Sequence, residues 1–213
     1  MEIKPMIVLE NINKSFGKTQ VLDNVSLELY PGNIYGVVGY NGSGKTVLFK
    51  CICGFLIPDS GKIYVKEKLF ENRILTEAGI IIENPAFISG KSGYKNLELL
   101  YMLNHKRNKR YVSDILEKVG LSPSSLKHVK HYSLGMKQRL AIGQAIMEDP
   151  EILVLDEPMN GLDKNGVQEV RKMLLEMKEK GKLIILASHN REDIEVLCDE
   201  VYEMEAGKVH RRT

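Results

Sequence analysis

The sequence predicts an α/β chain built on a parallel sheet, and three observations carry that expectation. Four apolar runs, at 34–38, 80–82, 152–155 and 183–187, each end at a polar group. Continuous runs of this kind suit strands buried on both faces. Between them, apolar residues recur at helical spacing, as at Val167, Val170, Met173, Leu174 and Met177. The first run also leads straight into Gly39-Tyr40-Asn41-Gly42-Ser43-Gly44-Lys45-Thr46, which fits G-x-x-x-x-G-K-[ST] and precedes a helix expected over 46–54.

That segment reads as a phosphate-binding loop (P-loop). Gly39, Gly42 and Gly44 let successive backbone N–H groups curl around phosphate oxygens, and the next helix N-terminus adds its positive dipole end. Lys45 would reach the β and γ phosphates, and Thr46 offers a hydroxyl to Mg²⁺. Asn41, Ser43 and Val47 complete the nucleotide-contact set along the same stretch.

Composition excludes several other classes. With 213 residues the chain can bury a sizeable core without staples. Its 30 basic and 28 acidic residues leave a net charge of +2, so no global field points to nucleic acid. No apolar run approaches the ~20 residues of a bilayer span, and Met1-Glu2-Ile3-Lys4-Pro5 has no signal-peptide pattern, so a cytoplasmic location is expected. Cys51, Cys53 and Cys198 read as reduced thiols, and no structural metal is assigned.

In chain order, 7–12 and 21–29 read as antiparallel strands about a turn at Phe16-Gly17-Lys18-Thr19. Phe16 could stack on a base or simply cap a small sheet. The turn Pro58-Asp59-Ser60-Gly61-Lys62 leads into a short strand at 63–65. The run ending at Glu83 is expected to stop at Asn84-Pro85. A helical insert follows over 86–145, in which the basic run 105–110 reads as a solvated helix junction, with contact to anionic lipid or a partner as the alternative. Ser133 falls at the N-cap of the last helix of that insert, a second helix end able to hold an anion. The tail should form a strand from Val201, a turn at Glu205-Ala206-Gly207-Lys208, and another strand.

Ligands of open parallel sheets sit beyond the carboxyl ends of the strands. Those ends carry the phosphate loop, Glu83, Asp156 with Glu157, and His189. Adjacent carboxylates repel unless a cation lies nearby, and Mg²⁺ held with a nucleotide is such a cation. Phosphoryl transfer then distributes the roles: Lys45 holds phosphates, Thr46 and Asp156 arrange Mg²⁺, Glu157 polarises the attacking water, and His189 steadies the γ-phosphate.

The order of these motifs resembles the ATP-binding cassette (ABC) ATPases over essentially the whole chain. The phosphate loop (39–46), the SLGMKQ signature (133–138), LDEP (155–158), NGLD (160–163) and His189 stand in the family's order. The resemblance implies a P-loop NTPase fold. Its RecA-like core and N-terminal antiparallel β subdomain would span 1–85 and 146–213, with the α-helical subdomain at 86–145. It implies ATP and Mg²⁺ as ligands, Phe16 as the adenine-stacking ring, a separate transmembrane permease, and a location on the inner face of the membrane. It further implies a head-to-tail dimer in which Ser133 and Gly135 of one chain meet the phosphate held by Lys45 of the other. No nucleic-acid partner is expected.

Two departures stand out. The family's usual glutamine is here Glu83, which can still approach Mg²⁺ but adds charge, and the common LSGGQ is here Tyr132-Ser133-Leu134-Gly135-Met136. Both resemble bacterial cassettes of bacitracin and lantibiotic export or immunity. The competing readings are a soluble cassette ATPase of cluster assembly, translation or DNA maintenance, and a small-molecule kinase for which the signature would be accidental.

Overall fold

The computed structural model describes residues 3–71, 73–83 and 86–212. The expected strand stop at Asn84-Pro85 lies outside the described residues. Two long strands open the chain, β1 (Ile7–Phe16) and β2 (Thr19–Leu29), then β3 (Ile34–Val38) and helix α1 (Lys45–Ile52). Next come β4 (Ser60–Val65), β5 (Lys68–Leu69), β6 (Ala78–Ile81), and the helices α2 (Gly93–Tyr101), α3 (Lys109–Lys118) and α4 (Leu134–Ile146). The chain ends with β7 (Ile152–Asp156), α5 (Lys164–Glu179), β8 (Leu183–Ala187), α6 (Arg191–Leu197), β9 (Glu200–Glu205) and β10 (Lys208–Arg212).

Two sheets result. One is antiparallel, in the order β2-β1-β4-β5; the other runs β10-β9-β3-β8-β7-β6. In the second sheet β9, β3, β8, β7 and β6 are parallel, and β10 closes one edge antiparallel to β9. Alternation explains why β7 and β8 are apolar at consecutive positions. Ile152, Val154, Leu183 and Ile185 pack on the face shared with α1 and the antiparallel sheet, whereas Leu153, Leu155, Ile184 and Leu186 pack on the face of α4 and α5. Each core therefore receives every second side chain of the same strands.

Several expected boundaries shift. The first strand runs on to Phe16 because polar Asn13 and Lys14 still join the ladder through backbone groups. The run 80–82 is a strand only over Ala78–Ile81. Helix α1 starts at Lys45 and stops at Ile52, with Cys53 as its C-cap. Within 105–110, Arg107 has a structural partner: its Nε donates to Glu98 Oε1 at 2.7 Å, and that carboxylate is 2% exposed. His105 pairs with Glu148, leaving only part of the run as solvated charge. No helix among the described residues is long and apolar enough to cross a membrane.

Candidate active site

The strand ends converge on a cavity of about 600 Å³, within the roughly 300–1,000 Å³ usual for small-ligand sites. Phe16 and Val21 reach it from the antiparallel sheet. Asn41, Gly42, Gly44, Lys45, Thr46 and Val47 supply its floor, and Glu83, Asp156, Glu157, Asn160 and His189 its rim, with Leu134 and Gln138 from α4. Residues far apart in sequence meet because parallel crossovers return every strand end to the same edge.

The phosphate loop is tightly buttressed. Gly44 has φ 109°, and a Cβ there would lie 2.7 Å from the Val21 carbonyl oxygen and from Met204 Cε. At Gly39 an added Cβ would come within 2.4 Å of the Met204 carbonyl oxygen. Only a residue without a side chain lets β2, β9 and the loop approach so closely. Beneath the loop, Lys45 is buried, and its Nζ donates to the carbonyl oxygens of Gly39 at 2.7 Å and Tyr40 at 3.1 Å. Ser43 is 2% exposed, and its Oγ has no hydrogen-bond partner.

On the rim, Thr46 Oγ1 donates to Asp156 Oδ2 at 2.8 Å. Glu157 follows β7 with φ 52°, and its N–H donates to the Ala187 carbonyl, so the end of β7 is pinned to the end of β8. Its carboxylate Oε2 accepts from the His189 backbone N–H at 3.4 Å, while Oε1 lies 3.5 Å from His189 Nε2 without a hydrogen bond and is buried. Burial pushes the Glu157 carboxyl upward; the His189 N–H and ring oppose that, and the neighbouring Asp156 charge adds to it.

Glu83, Ser133 with Gly135, and Phe16 take the following places in one chain. Glu83 reaches the rim, but its carboxylate is engaged by Lys50 Nζ at 2.5 Å rather than by the Thr46–Asp156 pair. Lys50 lies one turn beyond Thr46, on the face of α1 that meets the strand ends. Ser133 and Gly135 line a different cavity, with Gly161, Leu162 and Asp163, while Leu134 between them lines the cavity of Lys45. Phe16 stands at the mouth, 51% exposed, with Lys14 Nζ 5.8 Å from its ring centroid.

Sequence reasoning missed Gln138 and Asn160 as lining residues, although both lie inside motifs it singled out. Gln138 Nε2 donates to the Pro158 carbonyl at 2.9 Å, tying α4 to the turn after Glu157. Val21 carried no chemical signal, and Leu134 stood out only as part of the 133–138 signature.

These groups fit a magnesium-bound triphosphate. The loop's glycines seat it against β2 and β9 where a Cβ would collide, Ser43 Oγ has no partner, and Thr46 and Asp156 are the hard oxygen donors Mg²⁺ prefers. Among the described residues no cluster of three or more His, Cys, Asp or Glu is assembled. The remaining coordination of a bound Mg²⁺ would fall to phosphate oxygens and water, as is usual for that ion.

A glycine loop whose amides suit polyphosphate, with the paired carboxylates Asp156 and Glu157 on the same rim, is the arrangement of the P-loop nucleoside triphosphatases. The family model described as "ABC transporter" matches residues 22–160. The chain belongs to that family and is an ATP-binding, ATP-hydrolysing cassette that works with Mg²⁺. It is 41% identical over 206 residues to the uncharacterized ABC transporter ATP-binding protein YybJ of Bacillus subtilis (strain 168), covering 96% of this chain and 94% of that one. Identity is 39% over 211 residues to the bacitracin transport ATP-binding protein BcrA of Enterococcus faecalis, with 97% and 68% covered. Among solved structures, the dimeric bacterial ABC transporter cassette MJ0796 matches with a TM-score of 0.87 at 22% identity over 97% of both chains, a likeness of fold.

Proposed function

We propose that this cassette powers a peptide-antibiotic exporter, seated on the inner face of the cell membrane through a separate permease and working as a head-to-tail pair. The observation that carries the pairing is the separation of Ser133 and Gly135 from Lys45 within one chain. Ser133 caps α4, accepting from the Met136 N–H at 3.2 Å, so the helix presents an N-terminal end suited to an anion. A second copy would bring that end to the γ-phosphate. The exporter reading rests on similarity to the bacitracin transport cassette and on the Glu83 and signature departures.

Within this reading Lys45 leaves the loop carbonyls for the β and γ phosphates, and the loop amides hold their oxygens. Phe16 stacks on the base. Thr46 and Asp156 would hold Mg²⁺, which would supply neutralisation of phosphate charge. Glu157 accepts a proton from the attacking water at its unpartnered Oε1, and His189 steadies the γ-phosphate from the adjacent strand end. Residues 86–145 act as the helical subdomain carrying the signature, against a core formed by 1–85 and 146–213. Glu83, at their junction, reaches Mg²⁺ only by giving up Lys50.

Mixing chains carrying Ser133→Arg with chains carrying Lys45→Ala tests the shared site. Mixed pairs should recover one intact site and part of the ATPase activity that neither variant shows alone. No recovery at any mixing ratio refutes the pairing. Purification from the membranes of its own cell should recover an integral membrane protein with the chain; recovery only in a cytosolic complex refutes the transporter assignment.

A further inference from the structure

We propose that a buried ion pair behind the site, Arg171 with Asp193, acts through Ser188 to position His189 and Glu157 for hydrolysis. The inference rests on the roles given above to His189 and Glu157. Arg171 is on α5 and Asp193 on α6, 8% and 2% exposed. The Arg171 guanidinium donates twice to Asp193 Oδ1, from Nε at 2.9 Å and from a terminal nitrogen at 2.5 Å, and its other terminal nitrogen donates to Glu192 Oε1 at 2.9 Å. The second Asp193 oxygen, Oδ2, accepts from Ser188 Oγ at 2.9 Å. Ser188 is 6% exposed and immediately precedes His189.

The chain of contacts then enters the site. Ser188 Oγ accepts from the Asn190 N–H at 3.1 Å, so the hydroxyl grips the backbone on both sides of His189. The Asn190 side chain caps α6 through the Glu192 N–H at 2.9 Å. Between these two fixed points, the His189 N–H meets Glu157 Oε2. An ordinary strand-to-helix connection does not need a doubly bonded buried guanidinium. Burying that pair removes two charges from water, a penalty that well-packed apolar side chains would avoid. The arrangement does hold three consecutive residues, 188–190, in one geometry. A charged, directional network resists displacement better than apolar contacts, which slide. Arg171, Asp193 and Ser188 are positioning residues; none lines the nucleotide cavity.

Removing Arg171 or Asp193 would strand a buried charge and could unfold the chain. Ser188→Ala cuts the link while leaving the ion pair intact. The full chain would be assayed for steady-state ATP turnover, ATP affinity by equilibrium titration, and melting temperature. Ser188→Ala should lower kcat about tenfold, because small misplacements of catalytic groups are that damaging, with Kd for ATP within about twofold of wild type and melting little changed. A kcat within about threefold of wild type overturns the proposal. So does a parallel loss of kcat, affinity and melting temperature, which marks a purely structural role. His189→Ala and Glu157→Gln run alongside separate the two levels. If both retain full turnover, the reading of the site itself fails, whatever Ser188→Ala does.

Discussion

Glu157→Gln isolates one atom's worth of chemistry. The substitution keeps shape and burial but removes the carboxylate whose Oε1 is buried and unpartnered beside His189. A positioned general base contributes about 10²–10⁴ in rate, which is roughly 3–5 kcal/mol of barrier at about 1.4 kcal/mol per decade. Turnover should fall by that factor. Lys45, the loop amides, Thr46 and Asp156 are untouched, so ATP affinity should stay within about twofold. The variant should also accumulate as an ATP-bound dimer on size-exclusion chromatography. Stability supplies an independent check. Burial raises the folded-state pKa of Glu157 above its unfolded value, so its contribution to stability is full at acidic pH and is lost as pH rises through the folded value. Glutamine cannot ionise. The variant should therefore melt higher than wild type at neutral pH, with the gap closing as pH falls into the ordinary carboxylate range. Phosphate release unchanged from wild type, or ATP affinity lost in step with turnover, would refute the assignment of Glu157 as base.

Gly44→Ala should lower the melting temperature and abolish ATP binding, since φ of 109° strains any side chain by about 1–3 kcal/mol and the new Cβ meets Val21 and Met204 at 2.7 Å; differential scanning fluorimetry and nucleotide titration would read both. Burial pushes the thiols of Cys51 up to about 11 and of Cys53 and Cys198 up to about 12. A thiol reagent at pH 8 should thus label neither of the buried thiols, Cys51 and Cys53, in the native chain and both in guanidinium.

The site was legible where chemistry and strand ends coincide. Gly39, Lys45, Thr46, Asp156, Glu157 and His189 all follow apolar runs, and a buried parallel strand can present polar groups only where it stops. Short elements were not legible. Helix α6 spans Arg191–Leu197, two turns with too few apolar positions to reveal a period, and β5 is only two residues long. The extension of β1 to Phe16 was not legible because backbone ladders to β2 and β4 do not require apolar side chains where the strand leaves the core.

What the sequence by itself determined is the kind of chemistry: glycines where amides must approach phosphate, a lysine, a hydroxyl and paired acids in an order that belongs to one family. Only the tertiary structure decided who meets whom. Lys50 and Glu83 are 33 residues apart, and Ser188 contacts Asp193 across the start of α6 while Arg171 arrives from another helix. Such pairings depend on how helices seat against the sheet, a choice made by side-chain packing in three dimensions and encoded in no local spacing. For the same reason, only the folded chain shows Leu134 and Gln138 on the phosphate-loop cavity while Ser133 and Gly135 line another.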